Sequence, residues 1–142
     1  MDYTFDILKL LAAAAAGALV GWDREIRDRP AGLRTHMLVC LTSTLLIIAA
    51  QMGVADNIMV GGTPVNADPA RMAAGVVMGV GFLGAGTVFR RQDFVKGLTT
   101  AASIWAVAAI GIAIGFGAWI HALAVSGLAM LILLSGRLRK RG

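Results

Sequence analysis

Five apolar blocks dominate this chain, each roughly 18–20 residues long. That is the length at which a helix crosses the ~30 Å hydrocarbon core of a bilayer. The blocks run from about Tyr3 to Trp22, Thr35 to Val54, Pro69 to Phe89, Leu98 to Gly115 and Ala118 to Leu134. A soluble domain would need a polar surface, and a chain that is 58% hydrophobic and 15% charged does not supply one. The reading is an all-α integral membrane protein, a single domain over residues 1–142 with about five transmembrane helices. The last two blocks cannot be one helix, because ~37 residues at 1.5 Å each would reach ~55 Å. Gly115-Phe116-Gly117 supplies a tight turn between them.

The first block is small-residue-rich, but Asp2 and Asp6 stand beside Lys9 where a signal peptide wants a basic region. It reads as a retained span. Lysine and arginine then alternate by loop. The first loop holds Arg24, Arg27, Arg29 and Arg34, the third Arg90, Arg91 and Lys96, and the tail Arg137, Arg139, Lys140 and Arg141. The second and fourth loops hold none. The positive-inside rule therefore puts the N-terminus outside and the C-terminus in the cytoplasm. The same placement argues against nucleic acid, despite a net charge of +5, since the basic residues sit at block ends without aromatic interleaving.

Glycine patterning predicts how the helices pack. Gly17 and Gly21, Gly75 and Gly79, and Gly111 and Gly115 are each four apart, the spacing that lets helix backbones approach closely. With Gly81, Gly84 and Gly86 added, the third span is expected to be the central helix, held through Gly/Ala faces. The rival reading is that "GFLGAG" unwinds and exposes carbonyls to a cavity. "GVGFLG" also matches a dinucleotide fingerprint, but it lies inside a span with no strand before it. The second loop, "GGTPVNADP", reads as a flexible turn region. Asp68 then caps the third helix and Pro69 opens it, with Arg71 snorkelling outward or pairing with Asp68.

The candidate site lies on the Arg-rich side. Asp23, Arg24 and Glu25 end the first span; Arg34, Thr35 and His36 open the second; Thr99, Thr100 and Ser103 open the fourth. Charges and hydroxyls so near span ends are costly unless they pair. The segments "GWDREIRDRPAGLRTH", "DPARMAAGVVMGVGFLGAG" and "VKGLTTAASIWAVAAIGIAIGFG" together resemble the MgtC/SapB family of small bacterial inner-membrane proteins. That resemblance implies that Asp23, Arg24, Glu25, Gly32, Arg34, Thr35, His36, Asp68, Arg71, Gly84, Gly86, Gly97, Thr99, Thr100 and Trp105 matter. It also implies a link to growth in low magnesium, acid tolerance and, in pathogens, survival inside macrophages, with one branch restraining the F-type ATP synthase. Larger members carry a soluble C-terminal domain. This chain ends at "SGRLRKRG" and reads as the short branch.

The expected function is a non-enzymatic modulator of membrane partners in ion homeostasis, with a homodimer as the expected oligomer and no cofactor. The alternative is a small-ion transporter or channel for Mg²⁺, H⁺ or an anion such as phosphate. Mg²⁺ favours carboxylate and water oxygens, and no Asp or Glu lies at the centre of a block. Arginine near the inner ends leaves an anion open. An enzyme is not expected, because no nucleophile has an evident base and His36 and His121 fall at opposite membrane faces. Cys40 reads as a small buried hydrophobe.

Overall fold

A computed structural model describes residues 3–55, 59–60, 63–64, 68–91 and 94–138. Each apolar block forms one helix: α1 (Tyr3–Glu25), α2 (Leu33–Ala55), α3 (Pro69–Gly86), α4 (Leu98–Gly115) and α5 (Trp119–Leu138). All five are long and apolar enough to cross a membrane, and the chain is a multi-pass membrane protein. Two short antiparallel ladders lie between helices. β1 (Met59–Val60) pairs with β2 (Thr63–Pro64), and β3 (Phe89–Arg91) pairs with β4 (Phe94–Lys96). Asp2, Asp56, Asp93, loop residues 61–62 and 65–67, and the basic tail from Arg139 to Arg141 lie outside the described residues.

Local chemistry sets the helix ends. Asp68 Oδ1 accepts from the Ala70 amide at 2.9 Å and Pro69 takes the first helical position, so α3 starts where the sequence predicts. At the end of α4, the Gly117 amide donates to Ile114 O and the Ala118 amide to Ala113 O, with Gly117 at φ 77°. This is a Schellman stop, and it separates the last two spans. The first helix closes in the same way, with Asp28 in glycine's place. Its amide donates to Glu25 O and the Arg29 amide to Arg24 O, at φ 48°. The end of α1 thus runs past Trp22, and Asp23, Arg24 and Glu25 are helical rather than loop residues.

Consecutive helices alternate in direction. At one end Phe5 meets Trp119 edge to face, and Lys9 Nζ donates to Gly115 O at 3.2 Å, a cation on a helix C-terminus. At the other end the finish of α1 meets the starts of α2 and α4. The core lies between these ends, with Val20, Cys40, Ile47, Val107 and Ile110 buried.

The expectation of a central third span is corrected. The central helix is α4, which packs on α1, α2, α3 and α5 and has half of its span buried, against 17% for α3. The reason lies in what the glycines meet. A Cβ at Gly17 would stand 2.6 Å from His36 O, one at Gly115 2.6 Å from Ile47 Cβ, and one at Gly111 would overlap Cys40 O. Gly17 and Gly21 of α1, and Gly111 and Gly115 of α4, therefore clasp α2 from two sides. On α3, Gly75, Gly79, Gly81 and Gly86 have nothing within 4 Å of where a Cβ would stand; Gly84 rests on Ala101 at 3.5 Å. The "GFLGAG" segment stays helical to Gly86, and Phe89, expected within the span, begins β3 instead.

Candidate functional site

The end at which α1, α2 and α4 converge holds a buried polar junction. Arg24 enters it from the last turn of α1 and is only 5% exposed. Its Nη2 donates to Thr100 Oγ1 on α4 and to Pro30 O in the connecting loop, the latter at 3.3 Å. Its Nε is buried with no hydrogen-bond partner among the described residues. A guanidinium removed from water is costly unless its donors are met. Arg24 therefore holds the loop to the start of α4, while its buried Nε donor stays unmet among the described residues.

His36 crosses the same junction from α2 and is fully buried. Its Nδ1 lies 2.8 Å from Gly32 O and its Nε2 3.0 Å from Ser103 Oγ. A carbonyl only accepts, so Nδ1 carries the hydrogen. In the neutral ring Nε2 then accepts from the Ser103 hydroxyl. In the protonated ring Nε2 donates, and the Ser103 hydroxyl turns to Thr100 O, which lies 2.8 Å away. The geometry accommodates both protonation states by one hydroxyl rotation. Gly21, whose Cβ would stand 3.1 Å from His36 Cβ, leaves room for the ring.

The connecting loop is built around Glu25. Its Oε2 accepts from the Leu33 amide at 2.8 Å and so caps α2 from the helix before it. A Cβ at position 32 would occupy the place of Glu25 Oε2, which explains the glycine in "RPAGLRTH". Ala31 beside it takes φ 58°, a left-handed conformation that a residue with a Cβ adopts at a cost. Asp23, 2% exposed, pairs with Arg27, whose Nη2 is 3.0 Å and Nε 3.1 Å from Oδ1.

The structure brings Asp23, Arg24, Glu25, Gly32, His36 and Thr100 together, with Ser103 among them. Gly97 adjoins the junction at φ 93°, where a Cβ would overlap Thr87 O; the far end of the β3–β4 hairpin thus closes against the residues that follow α3. Other candidates lie outside the network. Arg34 is exposed and makes no hydrogen bond or ion pair among the described residues, Thr35 is half-buried, and Thr99 and Trp105 are exposed. Gly84 is buried against α4 and Gly86 is open. Asp68 and Arg71 lie at the opposite end, both exposed and without an ion pair between them among the described residues. Lys9, buried at that end, was missed as a candidate, although a lysine inside an apolar block was the signal. Cys40 is buried with its thiol free.

Comparison with known proteins places the sequence in a family. The MgtC family model matches residues 10–141. The "Putative magnesium transporter YhiD" of Escherichia coli strain K12 is 45% identical over 133 residues, covering 94% of this chain and 60% of the relative. "Protein MgtC" of Salmonella typhimurium strain 14028s is 42% identical over 120 residues, covering 84% of this chain and 47% of the relative. An uncharacterized protein of Haemophilus influenzae is 38% identical over 117 residues, 82% of this chain and 49% of the relative. The chain thus spans about half to three fifths of the length of these relatives. No solved structure matches. The matched residues take in α1 from residue 10 onward, the other four helices and the whole polar junction, and the chain belongs to the MgtC family.

Proposed function

We propose that this chain acts in magnesium-related and acid-stress ion homeostasis at the bacterial inner membrane, as a non-enzymatic modulator of membrane partners. The link to magnesium rests on the relative from Escherichia coli that is named for magnesium transport. The basic loops support a cytoplasmic position for the polar junction. One observation carries the choice of modulator. The junction ties α1, α2 and α4 into one unit, while α3 leaves Gly75, Gly79, Phe82 and Gly86 on a single outward stripe. Phe82 on that stripe is 81% exposed. Glycine gains nothing against lipid tails, whereas it lets a second helix approach closely. The stripe suits a helix of another membrane protein.

A photo-crosslinking residue in place of Phe82, in cells grown on low magnesium, tests this. The reading expects a discrete adduct with another membrane protein, absent when the probe replaces Leu131 on α5, which is 63% exposed. Adducts to lipid alone at both positions contradict it. An adduct with a second copy of the chain replaces the foreign partner with a homodimer.

A further inference from the structure

Beside the junction lies a cleft of about 550 Å³, between the end of α1, its connecting loop, the start of α4 and the last turns of α5. That volume falls within the range of small-ligand sites. Its charge is one-sided. Among the described residues Arg24, Arg27, Arg29 and Lys96 line it, against the single carboxylate of Asp23. Asp23 is paired with Arg27, and one carboxylate against four cations leaves the described lining with an excess of three positive charges.

The start of α4 opens into the same space. Gly97, Leu98, Thr99 and Thr100 all line the cleft. Gly97 is the N-cap of this 18-residue helix and supplies no side-chain cap. Among the described residues the first-turn amides therefore have no capping acceptor, and they keep the positive end of the helix dipole. A second observation is independent of the helix. Arg24, nineteen-twentieths buried, lines this cleft with its Nε unpartnered among the described residues. A guanidinium charge held out of water carries a desolvation cost that an oxyanion in the cleft would offset. Uncapped amides, a buried guanidinium and two exposed cations, Arg29 and Lys96, form the donor set that recognises a phosphate group.

We infer that this cleft binds a phosphate group at the N-terminus of α4, held by Arg24, Arg29 and Lys96. The group comes either from an anionic phospholipid headgroup or from free phosphate. The site binds it whether the protein modulates a partner or conducts ions itself.

The test uses the full chain in nanodiscs. In phosphatidylcholine discs, inorganic phosphate is titrated by calorimetry. In mixed discs, spin-labelled phosphatidylglycerol and phosphatidylcholine are compared for immobilisation by the protein. The Arg29→Gln/Lys96→Gln variant is run in both arms. These two side chains are exposed and outside the junction's hydrogen bonds, so its unfolding temperature should match that of the parent. Free phosphate as the source predicts saturable heat that weakens at least about tenfold in the variant. A headgroup source predicts selective immobilisation of phosphatidylglycerol, lost in the variant, with no phosphate heat. Absence of both, or binding that the variant leaves unchanged, overturns the site.

Discussion

Replacing Gly111 by alanine adds one methyl group where α4 crosses α2. The new Cβ would overlap Cys40 O and stand 2.9 Å from Ser43 Cβ. Cys40 O is backbone, so no side-chain rotation makes room. The helices must separate, and the Thr44 hydroxyl then loses its 2.8 Å bond to Gly111 O. Overpacking of this kind costs about 1–3 kcal/mol, and the lost hydrogen bond about 1 kcal/mol more. The expected loss is roughly 2–4 kcal/mol, about two orders of magnitude in the unfolding equilibrium. The matched control is Gly79→Ala on α3, where a Cβ meets nothing within 4 Å. It should leave the isolated chain at least as stable as the parent, with a gain of up to about 1 kcal/mol from alanine's helix preference. Thermal unfolding of both variants in detergent, with monomers separated by size exclusion, measures the contrast. Equal losses, or a larger loss at Gly79, would refute α4 as the central helix.

The Gly32→Ala change should displace Glu25 from the α2 amide and cost about 0.5–2 kcal/mol; Glu25→Gln, which keeps an acceptor, should cost less in the same melt. His36→Ala leaves Gly32 O without its side-chain partner and a hole between α2 and α4, a loss of about 2–4 kcal/mol. Ser103→Ala should cost only about 1 kcal/mol, and the ordering of these two melts is the check. Ala31→Gly relieves a left-handed alanine at about 1–2 kcal/mol, offset by about 0.4–1 kcal/mol of added freedom in the unfolded chain; a melting point above that of the parent is expected.

The helices were legible because block length and loop charge act through the bilayer, which imposes one length on every span. The Leu98–Gly115 span agrees with its sequence boundaries at both ends. Glycine spacing revealed helices able to pack closely, but not which neighbours they meet. Gly75 and Gly79 have the same spacing as Gly111 and Gly115, and only the latter pair touches α2. Spacing reports a face, and a face does not say what lies opposite it. The site was legible as a cluster for the same reason that charges gather at span ends. Its internal order was not: Arg24 and Arg34 are both arginines near such ends, yet one is buried and the other exposed. The loop between them turns at Asp28 and Ala31, residues other than the glycine that signals a left-handed position. The β3–β4 hairpin carries two arginines and a lysine in a short loop, a pattern that speaks for orientation and is silent about pairing.

The most direct test of modulation is flux into proteoliposomes of the purified chain, followed for Mg²⁺, H⁺ and phosphate, with Arg24→Gln alongside. A modulator predicts no saturable flux above protein-free vesicles from folded, inserted protein. Saturable flux of any of the three, lost when Arg24 is replaced, would contradict it and make the polar junction a gate.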